Sequence, residues 1–392
     1  MLAVAGASSL PHWFEPVLWS DPDAINYQAK VLAFRGQDER TALHRLFASP
    51  IAAKFRRDEA TKPPSRRRST NPHLIDYGTR FFRRRPVVPL MAAGIYPVFG
   101  DRSLLTASMV GYLLLALALY ALLRRRFSST TSAVATIACI LLPPLRLYSF
   151  VPMTDSWGVL LETCALLAAV LTFDRGTRWL TFWVASIAAL SVTRDDTIVP
   201  LVAVACLLIQ QRERRSALLT VTGAAAALPA PLIFGNVSVR GNLAFVFSNY
   251  YPPNDDSWGF VLSNYFPHIR HLIRADLTYG THVGWPAPLW YGGLALVAVG
   301  VVLLIKSVRA ADPFFPLLCY SLVGAALFVA LFADYSGLRE ELVFIPPIAV
   351  GLALLVDKAS NSEALKRLRA RLVRRAALAR GRLGAPTVPP SR

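Results

Sequence analysis

Two aspartates near the start of the chain are spaced in a way that could serve chemistry. Asp21 and Asp23 flank a proline in WSDPDAINYQ (19–28), and the apolar and aromatic run AINYQAKVLAF follows directly. A carboxylate at the start of a helix can act as a general base, bind a divalent cation or only cap the helix. The spacing alone fits all three roles, so the choice depends on where the rest of the chain positions this stretch.

The composition excludes an ordinary soluble domain. The 392 residues are 54% hydrophobic, with a mean hydropathy of +0.42 and a formal net charge of +18. Of the 42 basic residues 36 are arginine, which points to a GC-rich bacterial genome. The four cysteines all lie inside apolar runs, where we expect small core side chains and neither disulfides nor metal ligands.

Apolar stretches predict an all-α polytopic membrane protein with about eight or nine transmembrane helices, since a span needs about 20 apolar residues. The candidate spans are 104–123, 129–145, 157–173, 178–193, 197–210, 216–234, 286–306, 313–333 and 341–356. Only TRDD separates 178–193 from 197–210. These two short stretches are either tilted spans or a broken pair that faces a cavity.

The distribution of basic residues orients the predicted spans. Alternate connections carry RRR (124–126), DRGTR, QRERR and KSVRAAD, which the positive-inside rule assigns to the cytosol. The opposite connections, including loop 235–285, are poorer in positive charge. We therefore expect an extracytoplasmic loop at 1–103, a membrane bundle at 104–356 and a basic cytosolic tail at 357–392, in the plasma (inner) membrane.

Amphipathic patterns occur in both terminal regions. Residues 24–35 and 38–47 predict two helices that lie on the membrane, and 86–100 predicts a partly embedded helix. Leucines at helical spacing among arginines after Ser360 predict a basic helix on anionic lipid, with a solvated tail as the alternative. Because topology accounts for the positive charge, membrane lipids are expected partners and nucleic acid is not.

Several short motifs resemble the GT-C superfamily of membrane glycosyltransferases. They are the loop acid followed by Tyr27 and Gln28, RRRPVVPLMAAGIYPVFGDRSLL (83–105), VPMTDSWG (151–158) and LREELVFIPPIAVGLALL (338–355). The likeness covers most of residues 19–356 and extends to protein O-mannosyltransferases, the aminoarabinose transferases of lipid A, and bacterial arabinosyl- and mannosyltransferases. In this superfamily a complete span normally precedes the loop acid. Here only a short apolar stretch precedes Ser9 and Pro11, which predicts either a start further upstream or a degenerate first span.

The resemblance implies an enzyme that transfers a sugar from a polyprenyl-phosphate donor to a glycan, lipid or protein acceptor of the cell envelope. The reaction would be a single inverting displacement on the extracytoplasmic face. Asp23 is the expected base, and Asp21 is the alternative base or a ligand if a divalent cation takes part. The resemblance also assigns Tyr27 and Gln28 to substrate binding, and no other cofactor is expected.

Charged residues in or beside the spans are further candidates for binding substrate. Asp155 opens a span, and Glu162 lies two turns further along the same helix face, about 10 Å deeper. A carboxylate inside a span is costly and therefore a functional candidate. Arg194 and Arg339 lie at outer span ends, where guanidinium groups can bind a lipid phosphate. The alternatives are capping for Asp155, an interhelical partner for Glu162 and interfacial anchoring for both arginines.

Loop 235–285 offers aromatic side chains that suit either sugar stacking or an interfacial belt. They are Tyr250, Tyr251, Trp258 and Phe260. Its histidines, an i, i+3 pair and one distant residue, form a poor metal pattern.

Two other function classes fit an apolar chain with intramembrane acids. One is a transporter or flippase of a lipid-linked substrate, although the chain shows no internal repeat, and the other is an inactive scaffold of envelope synthesis.

Overall fold

The computed structural model of the chain describes residues 2–14, 22–63, 82–234, 239–248, 255–282, 284–332 and 338–362, with positions 67, 70, 71, 74, 75 and 79. Regular structure within these residues is entirely helical. Asp21, Tyr250, Tyr251 and the predicted tail helix beyond Ser362 lie outside the described residues.

The helices are numbered in chain order. They are α1 (Leu2–Phe14), α2 (Pro22–Phe34), α3 (Glu39–Ala48), α4 (Ala53–Ala60), α5 (Val87–Phe99), α6 (Ser103–Leu123), α7 (Ser129–Ile140), α8 (Pro143–Ser149), α9 (Asp155–Arg175), α10 (Leu180–Ser191), α11 (Ile198–Gln211), α12 (Arg214–Ala227), α13 (Pro229–Phe234), α14 (Val239–Ser248), α15 (Trp258–His282), α16 (Ala287–Lys306), α17 (Phe314–Phe332) and α18 (Ile345–Ser360). A 3₁₀ turn (Glu340–Phe344) leads directly into α18.

Six helical segments of the described chain are long and apolar enough to cross a membrane, or seven if the bent pair α7–α8 is one span. They are Val87–Leu123, Asp155–Arg175, Arg214–Phe234, Ala287–Lys306, Phe314–Phe332 and Glu340–Ser360. The chain is therefore an all-α polytopic membrane protein, as predicted. The count is below the predicted eight or nine because α10 and α11 have only 12 and 14 residues. They rise about 18 and 21 Å, less than the ~30 Å of a hydrocarbon core.

Local sequence explains several helix ends. The Asp38 carboxylate accepts the Thr41 N–H at 2.9 Å and caps α3. Ser128 caps α7 in the same way through the Thr131 N–H. After α7 the chain bends by 67° into α8, which begins with Pro143 and Pro144. Since proline has no N–H to donate, it begins a helix readily but cannot continue the preceding one.

Helix α9 forms the centre of the bundle. It packs against α6, α10, α11 and α18. Of the residues in its most apolar stretch 83% are buried, whereas the corresponding share is 17% in the segments Arg214–Phe234 and Ala287–Lys306. The last two are therefore peripheral. Beside the bundle, α2 packs between α3 and α5, with Ala24, Ile25 and Tyr27 fully buried. This packing fixes the N-terminal end of α2, which carries Asp23.

Ion pairs mark both ends of α9. Asp155 is its first residue, and Asp174, 19 residues later, lies about 29 Å further along the axis. Asp174 accepts from Arg125 at 2.7 Å and from Arg126 at 2.8 Å, and Arg126 also pairs with Asp312. Charged groups thus lie one hydrocarbon thickness apart. Which end faces outward, and with it the division into outer loop, bundle and cytosolic tail, stays a prediction.

Two glycines allow α16 and α18 to cross at close range. A Cβ added at Gly300 would lie 2.8 Å from the carbonyl carbon of Gly351, and one added at Gly351 would lie 2.7 Å from that of Gly300. Both obstructing atoms belong to the backbone, so a side chain enters only if the helices separate. Small residues serve this purpose in membrane bundles generally.

We expect Gly351→Ala to destabilise the bundle by about 1–3 kcal/mol, the usual cost of overpacking. The measurement is the midpoint of thermal unfolding in detergent. Gly292→Ala on α16 is the matched control, because a Cβ there meets nothing within 4 Å. If both variants unfold at the wild-type temperature, the crossing is looser than described.

Candidate functional site

Four of the predicted site residues meet at one end of the bundle. Asp23 lies in the first turn of α2, Asp155 begins α9, Arg194 follows α10, and Arg339 precedes the 3₁₀ turn. Asp23 and Arg339 are 316 residues apart in sequence yet form an ion pair. The site is therefore a product of the fold and is not built on one local segment.

Arg339 joins the two candidate carboxylates. Its Nε donates to Asp155 Oδ1 at 2.8 Å, and its Nη1 donates to Asp23 Oδ2. The Asp155 side chain has no exposed surface, whereas 18% of the Asp23 side chain is exposed. Asp23 is therefore accessible to a bound molecule, while Asp155 acts on the site through the arginines.

Arg194 is enclosed by three carboxylates. Its Nη1 donates to Asp155 Oδ1, its Nε to Asp196 Oδ1 at 3.0 Å and its Nη2 to Glu340 Oε2 at 2.7 Å. These acceptors fix the plane of the guanidinium, which is a rigid fork of donors. We call Asp23, Asp155, Arg194, Asp196, Arg339 and Glu340 the ion network.

Gly158 provides the space for this arrangement. A Cβ at that position would lie 2.6 Å from Arg194 Cδ and 3.0 Å from Asp196 Oδ2. Gly158 is one helical turn from Asp155, so the same face of α9 both binds the arginine and lets its stem pass.

A second group of polar side chains packs behind the network. Arg85 Nη2 donates to Asp195 Oδ2 at 2.7 Å, and Arg85 Nη1 donates to the Tyr27 hydroxyl at 3.2 Å. That hydroxyl lies 3.0 Å from Thr154 Oγ1. Burial raises the pKa of Tyr27, although Arg85 and Arg339 act in the opposite direction. Tyr27 is fully buried and ties α2 to the residue before Asp155.

The neighbours Asp195 and Asp196 have opposite electrostatic environments. Burial opposes ionisation of Asp195, but the charges of Arg85 and Arg84 outweigh it and lower its pKa. Burial raises the pKa of Asp196 to about 6, despite the adjacent Arg194. No described residue donates a hydrogen bond to Asp196 Oδ2. Burial therefore favours the protonated form of Asp196 more than the charge of Arg194 opposes it.

Glu162 and Gln28 are fully buried. Helix α9 continues without a break past Glu162, which bears out its expected position two turns beyond Asp155. No described residue hydrogen-bonds to the Glu162 carboxylate or to the Gln28 amide. Substrate binding by Tyr27, Gln28, Asp155 and Glu162 stays a prediction.

The described residues include no group of three or more metal-binding side chains close enough to hold an ion. Asp21 lies outside them. The divalent cation therefore remains a hypothesis based on the resemblance alone.

Several members of the site were not predicted from the sequence, namely Arg85, Asp195, Asp196 and Glu340. Three of them adjoin residues that were predicted: Asp195 and Asp196 follow Arg194, and Glu340 follows Arg339. The available signal was that TRDD and LREE are charged runs beside apolar stretches, where ionisable groups are costly unless paired.

A cavity of about 440 Å³ opens beside the network. Its polar wall is formed by Arg84, Arg194, Asp195 and Asn242. Its apolar wall includes Leu201, Ala227, Leu228, Pro231, Leu331 and Phe332. The volume is that of a small-molecule site, and the two walls suit a molecule with a polar head and an apolar chain.

Fold and site together define a multi-pass membrane protein with a cavity and a buried ion network at one end of its bundle. The family model for dolichyl-phosphate-mannose-protein mannosyltransferase matches residues 83–235, a segment that includes Arg85, Asp155, Arg194 and Asp196. The match confirms the resemblance to the GT-C superfamily and supports a membrane glycosyltransferase of that type. Comparison with curated proteins gives no match.

We expect Asp155→Asn to lower stability by about 3–5 kcal/mol, because it leaves two buried arginines short of a counter-charge. The measurement is thermal unfolding of the purified protein in detergent. Asp256→Asn is the control, since Asp256 forms an exposed pair with Arg240 at 3.4 Å, and such pairs contribute little. Equal unfolding temperatures for the two variants would contradict a stabilising role for Asp155.

Proposed function

We propose that the chain transfers a sugar from a polyprenyl-phosphate donor to a hydroxyl group of a cell-envelope glycan, lipid or protein. The main observation is that Asp23, a partly exposed carboxylate, pairs with Arg339 in an ion network that reaches the cavity through one of its members. Arg194 belongs both to that network and to the cavity wall. The family match supports the general class of reaction.

The cavity suits the lipid donor because its walls have two characters. The polyprenyl chain would lie against the apolar wall of α11, α12 and α17. The phosphate would lie at the polar wall, because one guanidinium group can donate two parallel hydrogen bonds to two phosphate oxygens. Arg84, whose Nη2 is 3.4 Å from Asp195, and Arg194 are the cationic residues of that wall.

In the proposed reaction, the acceptor oxygen attacks the anomeric carbon of the sugar. The bond from that carbon to the phosphate oxygen breaks as the new bond forms, so the configuration inverts. The acceptor proton passes to the Asp23 carboxylate, and the polyprenyl phosphate leaves with the bonding electrons. Arg339 orients Asp23 for this transfer, because a base must lie within hydrogen-bond reach of the proton that it accepts.

The site is proposed to face the extracytoplasmic side of the plasma membrane. The basis is the alternation of arginine-rich connections, which assigns the end bearing Arg125 and Arg126 to the cytosol. Those residues lie at the far end of α9 from Asp155.

We expect Asp23→Asn to lower turnover by 10²- to 10⁴-fold, the usual contribution of a general base, while donor binding is retained. The change preserves the size of the side chain and its compatibility with a helix N-terminus. The assay uses full-length protein in membranes with polyprenyl-phosphate sugars, and it measures both sugar transfer and donor binding.

Asp21→Asn is the companion variant, with a smaller expected loss. If Asp21 binds a divalent cation, its loss should depend on added cation. Full transfer by the double variant would remove both residues from the mechanism and make Asp196 the next base to test. The same assay distinguishes a transporter or flippase, which would move the lipid-linked sugar without forming a new glycosidic product.

We expect Arg84→Gln to raise the apparent donor KM by about tenfold or more, since a charged hydrogen bond contributes about 1.5–3 kcal/mol. Arg83→Gln is the matched control, because Arg83 is the exposed neighbour of Arg84 and does not line the cavity. The measurement is donor saturation at a fixed acceptor concentration. If Arg83→Gln and Arg84→Gln shift the donor KM equally, the effect is one of general charge and the phosphate site lies elsewhere.

A further inference from the structure

Helix α15 carries a stripe of exposed apolar side chains. The stripe is formed by Trp258, Leu262, Phe266, Ile273 and Leu277. The spacings of four, four, seven and four residues put all five on one face of the helix. Phe266 is 75% exposed, and the opposite face packs inward through Val261, His268 and Leu272.

Basic side chains border this stripe. Arg270 and Arg274 are exposed and follow Phe266 at intervals of four residues, so they occupy the adjoining row of the helix surface. Together with Phe266, Pro267 and His271 they form an open patch on the surface of α15. An apolar stripe flanked by arginines is the pattern of a helix that lies in the membrane interface.

The C-terminal end of α15 packs against a membrane-spanning helix. Gly280 near the end of α15 packs against the Trp290 ring of α16, which leaves no room for a Cβ at that position. The Trp290 Nε1–H also donates to the Leu277 carbonyl oxygen at 2.8 Å. Helix α16 exposes Leu289, Tyr291 and Leu296. Because α16 is a peripheral span, this surface faces lipid, and α15 joins it at the end of that span.

We propose that α15 lies in the membrane interface and that Arg270 and Arg274 bind the phosphate of an anionic phospholipid head group. The apolar stripe would enter the acyl region beside it. The occupant is identified as lipid by the packing of α15 against the end of α16, a peripheral span with exposed apolar side chains, and by the charge of the two arginines. This site is separate from the cavity that the donor is proposed to occupy.

A polar contact connects α15 to the ion network. Asp276 lies beside the Glu341 side chain and the Leu338 backbone, and burial raises the pKa of its carboxyl group. Leu338 and Glu341 flank Arg339 and Glu340 in sequence. A lipid that holds α15 therefore also restrains the segment that carries Arg339.

The first test measures depth and lipid preference. Phe266→Cys, in a full-length chain whose four native cysteines are replaced by alanine, is labelled with a fluorophore and reconstituted into vesicles. We expect quenching by lipids brominated near the head group. Brominated phosphatidylglycerol in a background of phosphatidylcholine should quench more than the same mole fraction of brominated phosphatidylcholine in a background of phosphatidylglycerol. Each arginine should enrich phosphatidylglycerol near the label by roughly fivefold. Absence of quenching by any brominated lipid would overturn the interfacial position.

The second test uses the native cysteines and does not depend on the labelled chain. Phosphatidylglycerol added to detergent-solubilised protein should raise the unfolding temperature of the wild type, because a ligand that binds only the folded state stabilises it. Arg270→Gln/Arg274→Gln should lose this rise. The control Arg178→Gln/Arg309→Gln removes two exposed arginines from other segments and should keep it.

The outcomes separate lipid from other anions. Inorganic phosphate alone should leave the unfolding temperature unchanged. A rise with inorganic phosphate that the glutamine pair abolishes would indicate a soluble-anion site and overturn the lipid assignment. An equal rise with phosphatidylglycerol in the wild type and in Arg270→Gln/Arg274→Gln would show that these arginines do not bind the head group.

Discussion

A single oxygen of Asp155 binds two arginines in a position with no exposure to solvent. A buried guanidinium without a counter-charge is strongly unfavourable, so the positions of Arg194 and Arg339 depend on this carboxylate. Through them it also positions Asp196, Glu340 and Asp23. The starts of α2 and α9, the turn after α10 and the segment before α18 are thereby joined by charge as well as by packing.

The short helices α10 and α11 explain how a charged turn can belong to this network. Helix α10 and the 3₁₀ turn before it (Thr177–Trp179) return along α9, and the chain reverses at residues 192–197. Arg194 and Asp196 in this turn are buried, which is unusual for a connecting segment. Gly158 contributes by leaving the arginine stem room beside α9. The position of Arg194 and Asp196 therefore depends both on the length of α10 and on the small residue at position 158. A longer α10 would carry the charged turn past the start of α9.

The positions of several helices could be predicted from the sequence, whereas contacts between residues far apart in sequence could not. Helices were predicted at 24–35, 38–47 and 157–173, and they lie at Pro22–Phe34, Glu39–Ala48 and Asp155–Arg175, because apolar periodicity and length are properties of short segments. The pairing of Arg194 with Glu340 spans 146 residues, and no local pattern encodes it. The burial of Tyr27 could not be predicted from the sequence either, since a tyrosine after a loop acid can equally contact substrate or pack inward.

The charge balance sets a condition on any anionic donor. The ion network and the group behind it contain the carboxylates Asp23, Asp155, Asp195, Asp196 and Glu340 and the arginines Arg84, Arg85, Arg194 and Arg339. With all of these described groups ionised, the five carboxylates exceed the four arginines, so this set of groups by itself disfavours an incoming phosphate. Asp196, whose pKa is raised to about 6 by burial, can offset this by taking up a proton. A phosphate nearby would raise that pKa further, because like charges favour the neutral form. If the donor binds here as proposed, proton uptake at Asp196 would reduce the repulsion between its phosphate and these carboxylates.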